Sequence, residues 1–478
     1  MERRWSRIGC AVLAGLLFVY ALRLTPAWPA AWLAPIPILL AAFHAGTHEA
    51  RWLAWLAAAI GVGPYLTYYL MTTGPVATVV LLLLQVLVWG FFVLRTRAVV
   101  RRSRHWTIVF VFPLLLASVD TLVSFFSPHG TWGSFAYSQM DALWVIQVAS
   151  VAGTPGVTFT VGLFASTVAV ALYWGRRIDR PALAYGFPAA ILLGILGFGA
   201  ARVNQATTAP TVRVGLASVD DFIRKDAPAQ KEEAIWHAYE DAVRDLAHRG
   251  ARIVVLPEKI EALSPNQAAD RKQALGRLAQ DTRTYLVVGV QLNQADRKEN
   301  VSWLVSPGGE VVAEYRKRHM VPYLENDLTS GTEDVVTTVE GTPYGLAICR
   351  DMIFEDLGRR YGNLKVAAML VPAWDFYRDA WMASEIAAMR GVENGYSVVR
   401  AGRESYLQAA DSYGRVVARQ RSAYFPGSRV VADVPLGPAT PTLYSRAGNA
   451  FGWLCVVLTV VTYAVFNRRR SAIRRVTE

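Results

Sequence analysis

Eight runs of apolar residues dominate this sequence, at positions 8–25, 30–47, 52–72, 76–95, 106–126, 144–174, 183–202 and 448–467. A helix rises 1.5 Å per residue, so about 20 residues cross the ~30 Å hydrocarbon layer of a bilayer. Each run is near that length, and together they exclude a single soluble domain. The pattern predicts a multi-domain membrane protein: an α-helical transmembrane bundle of about eight spans, seven plus one, with an α/β domain inserted before the last. The expected boundaries are 1–202 for the seven-span unit, 203–447 for the inserted domain, 448–467 for the final span and 468–478 for a basic tail.

Charge placement supports that plan. The formal charge is +12, which in a soluble protein would raise a nucleic-acid reading. Here the excess lies almost wholly beside the apolar runs: Arg3, Arg4 and Arg7; Arg51; Arg95, Arg97, Arg101, Arg102 and Arg104; Arg176, Arg177 and Arg180; and Arg468, Arg469, Arg470, Arg474 and Arg475. The rest of the chain is close to neutral, so no nucleic-acid partner is expected. Cytoplasmic flanks of spans are enriched in Lys and Arg. With the N-terminus inside, eight spans put the clusters at 95–104, 176–180 and 468–475 on the cytoplasmic side. The loop 127–142, which has neither Lys nor Arg, and the stretch 203–447 then face outward. The expected location is the inner (cytoplasmic) membrane, multi-pass, with the inserted domain on the outer, periplasmic side.

Residues 203–447 are rich in charges and short apolar strands. A helix is predicted over 228–249, with Ile235, Tyr239, Val243 and Leu246 on one face and Gly250 as its stop. Strands are predicted at 252–256, 285–290, 303–306, 310–315, 346–349 and 367–371, with a helix over 379–393 and a hairpin turn at 411–414. Near-continuous apolar strands interleaved with helices imply sheets covered on their outer faces.

Three short motifs sit where these strands end, the place from which α/β folds project functional groups. Leu256-Pro257-Glu258 places a carboxylate at the mouth of a buried strand, where it can serve as a general base. Lys317, in the run Tyr315 to Pro322, follows a hairpin strand and can offer a fixed ammonium to a developing oxyanion. Ala347-Ile348-Cys349-Arg350-Asp351 ends an apolar strand on a thiol flanked by a cation and a carboxylate, an arrangement expected to ease its ionisation. Cys10 and Cys455 fall inside apolar runs, which leaves Cys349 as the sole cysteine outside them. Taken singly, a structural glutamate, a surface lysine or a packed cysteine is the commoner meaning of each motif.

Their order changes that. Strand-Pro-Glu, then Lys in a Tyr-x-Lys-x-His-x-Val-Pro run, then strand-Cys-x-Asp resembles the Glu-Lys-Cys triad of the nitrilase (carbon–nitrogen hydrolase) superfamily. With the seven-plus-one membrane plan, the chain resembles the apolipoprotein N-acyltransferase family, the integral-membrane branch. The likeness extends to Trp32–Leu39, to Trp132 with Tyr137, Ser138 and Gln139, to Asn300-Val301-Ser302 and to Val321–Glu325. The resemblance implies an α-β-β-α sandwich and a triad of Glu258, Lys317 and Cys349. It implies Glu325 as an assistant to the lysine and cysteine, and an oxyanion hole of Lys317 with the backbone N–H of Arg350. Asp351 joins Arg350 as a supporting residue, and Trp374, Phe376 and Tyr323 are candidates for the substrate pocket. The implied reaction moves a fatty acyl group from a phospholipid donor, through a cysteine thioester, to the α-amino group of a lipoprotein's diacylglyceryl-cysteine. A membrane-anchored amidase, or a related acyltransferase with another amine acceptor, stays open.

The sequence departs from the family at several pocket positions. Where the acyltransferases usually carry Trp-Pro-Glu, Cys-Tyr-Glu, Asn-Asp-Ala-Trp-Phe and Asn-Asn-Gly, this chain has Leu256-Pro257-Glu258, Cys349-Arg350-Asp351, Ala373-Trp374-Asp375-Phe376 and Arg403-Glu404-Ser405-Tyr406. A tryptophan of the family is missing from Ile223–Asp226. No cofactor is expected, and seven histidines without a ligand-spaced pair make a metal site improbable. Asp120, inside the fifth apolar run, is either a functional intramembrane acid or an interfacial carboxylate. For His319 a structural hydrogen bond is favoured over proton transfer, and His129 is expected at the interface.

Overall fold

The computed structural model describes residues 2–205, 209–221 and 229–477. The chain divides into two compact units, Met1–Val203 with Ala447–Glu478, and Asn204–Arg446.

The first unit is helical throughout. Among the described residues, five helices are long and apolar enough to cross a membrane: Arg4–Leu22, Pro75–Val100, Trp106–Phe126, Ala149–Arg177 and Ala182–Asn204. A sixth candidate, Thr47–Gly61 with Tyr65–Thr72, bends by 65° at its break. Pro64 lies in that break, and a proline there cannot donate the hydrogen bond that would carry the helix across. Two shorter apolar helices, Trp28–His44 and Ala450–Phe466, occupy the second and last apolar runs.

Small residues let these helices approach closely. A Cβ on Gly15 would lie 2.7 Å from Ile60 Cβ, and one on Gly61 would lie 2.6 Å from Phe18 Cβ. Contacts of this kind drive association where lipid removes the hydrophobic advantage. The helix written as Ala149–Trp174 contains a kink at Gly153 (φ +66°), a conformation that glycine reaches without Cβ strain. Two segments singled out by the resemblance meet, because Trp32 Nε1 donates to Gln139 Oε1 at 2.7 Å. Asp120 Oδ2 accepts from Ser134 Oγ at 2.9 Å and Thr158 Oγ1 at 2.8 Å, so its charge is solvated by hydroxyls.

The second unit is a layered sandwich. Its strands are β1 Thr211–Ser218, β2 Ile253–Val255, β3 Ala262–Leu263, β4 Tyr285–Asn293, β5 Lys298–Val305, β6 Val311–Arg316, β7 Val335–Val339, β8 Thr342–Leu346, β9 Ala368–Trp374, β10 Ser397–Arg403, β11 Tyr406–Ala410, β12 Val416–Arg421 and β13 Ser428–Pro435. One sheet has the order β13-β1-β2-β4-β5-β6, with β3 beside β4; the other has the order β12-β11-β10-β9-β8-β7. In each, parallel strands form the middle and antiparallel pairs the edges. Four of the unit's helices are α1 Ala229–His248, α2 Pro265–Thr282, α3 Glu355–Asn363 and α4 Ala380–Asn394.

Side chains alternate across each strand with period two, and this creates the layers. Val214, Leu216, Ile253, Val255 and Val287 of the first sheet meet Leu346, Ile348, Ala368, Leu370 and Val399 of the second in one core. The alternate residues Val254, Leu256, Leu286 and Val288 pack under Ile235, Tyr239, Val243 and Leu246 of α1 and Leu275 and Leu278 of α2. On the far side, Met369, Val371 and Val398 pack under Leu357 and Tyr361 of α3 and Ala387 of α4. The order is therefore helices, sheet, sheet, helices.

Two sequence expectations need correction. The strand predicted at 346–349 is instead β8, Thr342–Leu346, and the chain has already turned away when it reaches Cys349. Helix α2 was not foreseen, because only a narrow strip of it is buried; its start is nonetheless marked by a capping box between Ser264 and Gln267 with Pro265 in the first turn.

Candidate active site

The parallel strands of both sheets end at the same side, and the residues beyond them converge there. Glu258 follows β2 through Pro257 and is 1 % exposed. Its backbone lies against β4 where Gly289 has no side chain: a Cβ there would sit 2.4 Å from Pro257 O and 2.6 Å from Glu258 Cα. Gly289→Ala is expected to push this turn outward and to destabilise the fold by about 1–3 kcal/mol. Denaturant melts, read beside Cys349 alkylation, will check both effects.

Lys317 follows β6 and is also 1 % exposed. Its N–H donates to Asn300 O of β5 at 2.9 Å, which fixes the departure angle of the side chain. Nζ then reaches Glu258 Oε1 at 2.7 Å and Glu325 Oε2 at 2.8 Å. Asn300 Nδ2 donates to the same two carboxylates, at 2.6 and 3.2 Å. Lys259 Nζ adds a bond of 2.6 Å to Glu325 Oε1. Burial by itself would strip the Lys317 ammonium of its proton, but Glu258, Cys349 and Glu325 outweigh it and raise the lysine above its ordinary range. Burial also works to raise Glu325, yet Lys317 and Lys259 prevail and hold it at about 2. Glu258 Oε2 is the exception in this network. It is buried and has no hydrogen-bond partner among the described residues.

Cys349 opens a tight 3-10 turn, Cys349–Ile353, with φ +47°, a left-handed conformation rare for a residue with a Cβ. The residue keeps part of its surface open. Burial of the thiol and the nearby Glu258 charge push its proton affinity well above the ordinary cysteine value, against the opposing pull of Lys317. Burial and the Glu258 charge thus work against the easily ionised thiol expected from the sequence.

Asp351 does not sit against the sulfur. It is fully buried and accepts from Ile348 N at 3.1 Å, Tyr315 Oη at 2.8 Å, and His319 N and Nδ1 at 2.9 and 3.0 Å. It ties the turn carrying Cys349 to the strand and loop carrying Lys317. His319 stacks on Phe354 and serves that structural bond. The Arg350 guanidinium lies 5.5 Å from the Phe354 ring.

Of the pocket candidates, Trp374 borders the site, 5.4 Å from Lys259 Nζ and 3.7 Å from the Arg403 guanidinium. Tyr323 is 88 % exposed and Phe376 is also exposed. Among the described residues, no hydrogen bond or ring contact ties either to the triad. Residues 223–226 lie outside the described residues.

The residues that sequence reasoning missed are Lys259 and Arg400; Asn300, Asp375 and Ser405 were noted without a role. Arg400 carried a visible signal, since it is a charge set between apolar residues in the middle of the strand Ser397–Arg403 and a buried charge requires a partner. Two of the departures from the family pattern touch one another. Trp374 Nε1 donates to Glu404 Oε2 at 3.0 Å, Ser405 Oγ donates to Asp375 Oδ2, and Trp374 and Arg403 are register partners between β9 and β10.

The Carbon-nitrogen hydrolase family model matches residues 215–424, the stretch that forms the four-layer sandwich and carries Glu258, Lys317 and Cys349. The Apolipoprotein N-acyltransferase N-terminal domain model matches residues 14–167. An apolipoprotein N-acyltransferase of Geobacter metallireducens is 27% identical over 96% of this chain and 95% of its own length. One from Bradyrhizobium diazoefficiens is 26% identical over 76% of this chain and 74% of its own. Among solved structures, an amidase from Nesterenkonia sp. is 18% identical, with a TM-score of 0.42 over 48% of this chain and 92% of that one. The two matched models and these relatives together support an apolipoprotein N-acyltransferase-like member of the nitrilase superfamily.

Proposed function

We propose that this protein is an N-acyltransferase that takes a fatty acyl group from a phospholipid onto Cys349 and passes it to the α-amino group of a lipoprotein's N-terminal diacylglyceryl-cysteine. The observation that carries the reading is the buried Lys317 ammonium, clamped by Glu258 and Glu325 beside Cys349, in a chain that also bears a unit of apolar helices. In this reading the eight apolar segments are eight spans, seven before the catalytic domain 203–447 and one after it. The arginine clusters lie on the cytoplasmic side of the inner membrane, with the catalytic domain outside.

The steps follow from the positions of the groups. Glu258 Oε2, the open carboxylate oxygen, takes the Cys349 proton as Sγ attacks the ester carbonyl carbon. The new C–S bond leaves a tetrahedral oxyanion, which Lys317 Nζ and the Arg350 backbone N–H stabilise. The C–O bond to glycerol breaks, and the departing oxygen receives the proton from Glu258, releasing lysophospholipid and a thioester. In the second half the acceptor nitrogen attacks the thioester and gives its proton to Glu258. Collapse then forms the amide, and the sulfur regains the proton. Lys317 stays charged throughout because Glu325 remains its counter-ion at each stage.

The test is mass spectrometry of the full-length protein after incubation with phospholipid vesicles, followed by addition of a lipopeptide with a free diacylglyceryl-cysteine amine. The expected result is an acyl mass on the Cys349 peptide that is discharged as an amide of the lipopeptide. Discharge as free fatty acid alone would assign the site to hydrolysis. Absence of the adduct in the first stage would remove Cys349 as the nucleophile.

A further inference from the structure

Behind the nucleophile lies a second buried charge pair, and the steps above make no use of it. Asp375, just beyond β9, and Arg400, in the middle of β10, are 6 % and 2 % exposed. Arg400 Nη2 donates to Asp375 Oδ1 at 2.6 Å, while Arg400 Nη1 reaches Ser405 Oγ at 3.0 Å and Ser384 Oγ at 3.3 Å. Ser405 Oγ donates in turn to Asp375 Oδ2. Two charges withdrawn from water this completely destabilise a fold unless geometry and hydrogen bonds offset the loss, and the core would be served as well by apolar residues of similar size. Their placement against the sulfur gives them another use.

The neighbours of Cys349 Sγ are both acceptors. Trp374 O lies at 3.3 Å and Asp375 Oδ1 at 3.9 Å. A bare thiolate would be repelled by this pair of oxygens, whereas a thiol can donate to them. Among the described residues no hydrogen bond joins Sγ to Glu258, whose Oε2 stands without a partner. The resting sulfur therefore finds its hydrogen-bond acceptors at Trp374 and Asp375 rather than at Glu258.

We propose that Asp375 is a positioning residue for the nucleophile: with the Trp374 carbonyl it holds the resting Cys349 thiol protonated and turned from Glu258, and through Arg400 it sets how readily that proton is released. The inference rests on the reading of Cys349 as the nucleophile. Its functional consequence is a site that reacts slowly with water-borne electrophiles at neutral pH, and faster once alkaline pH or a substrate carbonyl draws the thiol from its parking contact.

The charges facing the sulfur come from both sheets. Glu258 and Lys317 stand beyond β2 and β6, and Asp375 and Arg400 on β9 and β10. Packed around these, Asp351 is consumed by the loop bonds described above, and Glu325 acts through Lys317. Asp379 at the start of α4 accepts from Phe376 N, Glu385 of α4 pairs with Arg419, and Asp356 of α3 pairs with Arg360. Asp375 and Arg400 are thus the pair whose alteration changes the field at Sγ without touching the triad.

The experiment follows alkylation of Cys349 by iodoacetamide in the full-length detergent-solubilised protein, from neutral to alkaline pH. Peptide-level mass spectrometry separates Cys349 from Cys10 and Cys455. Asp375→Asn keeps the shape but removes a negative charge next to Sγ. It is expected to move the alkylation midpoint down by about one pH unit, which is roughly a tenfold gain in rate at neutral pH. Arg400→Gln is expected to move the midpoint up, and Asp375→Glu to restore it towards wild type. A residue that only supports the fold would scale the rates and leave the midpoint where it was; that outcome for a folded Asp375→Asn protein overturns the proposal. If Asp375→Asn does not fold, Ser405→Ala takes its place. Loss of that donor makes the Asp375 carboxylate a stronger acceptor, so the midpoint should rise, and an unmoved midpoint again overturns the idea. A wild-type Cys349 that resists alkylation at every pH, while reacting once the protein is denatured, would sink the nucleophile reading, and this inference would fall with it.

Discussion

Glu258→Gln is expected to slow thioester formation on Cys349 by about 10²–10⁴-fold, the usual contribution of a positioned general base. The substitution is close to silent for packing. Glu258 Oε1 already accepts from Lys317 and Asn300, and a glutamine carbonyl can keep both bonds. The change falls on Oε2, where a base lone pair becomes an NH₂ group that cannot take the thiol proton. Lys317 keeps Glu325 as counter-ion, so the ammonium stays in place. Single-turnover acylation followed by intact mass, with thermal melting as a control for folding, will measure the loss. A Glu258→Gln protein that acylates at the wild-type rate would remove Glu258 from the base role.

Lys317→Met is expected to have a larger effect, because it fails in two ways at once. The oxyanion loses its fixed cation, which alone costs a factor of about 10²–10³ by analogy with other oxyanion donors. Two buried carboxylates also lose the charge between them. Breaking a buried ion pair from one side typically costs about 3–5 kcal/mol, so the melting temperature should fall sharply. The pH dependence separates these failures. Glu325 in the wild type is held at about 2, below its ordinary value. It therefore adds stability above the ordinary carboxylate range, and that stability is lost as pH falls from there towards 2. Without Lys317 this window should move to higher pH. Lys317 itself is raised, so its contribution is complete below the ordinary lysine range and disappears only as pH rises beyond it. Thermal melts across acidic pH, wild type against Lys317→Met, are the measurement. Identical acid profiles would mean that Glu325 does not depend on this ammonium.

Much of the architecture could be read from local patterns. The apolar runs announce the helical unit, and the helix over 228–249 appears as Ala229–His248 with the expected face buried. Glu258 and Lys317 were legible because the first follows a strand of continuous apolar character and the second a hairpin strand. What escaped depends on contacts between distant residues. Asp375 and Arg400 are separated by 25 positions and meet only because β9 and β10 pair in parallel. Asn300 joins Glu258 from 42 residues away. The function of Asp351 was misread for the same reason. In sequence it stands two positions from Cys349, but its partners in space are Tyr315 and His319. The bend between Thr47–Gly61 and Tyr65–Thr72 was hidden inside one apolar run, although Gly61, Gly63 and Pro64 marked the break.

Glu258 and Lys317 hang from one sheet, Cys349 and Asp375 from the other, and the Asp351 carboxylate is a rivet through both. The distance between base and sulfur is therefore a property of how two β-sheets sit on each other, like the gap between two blades set by a single screw. A change in the inter-sheet core, for instance at Leu216 or Leu370, can leave every reactive group intact and still open that gap. Where the change conserves volume, such a protein would melt almost normally, yet the blades would no longer close.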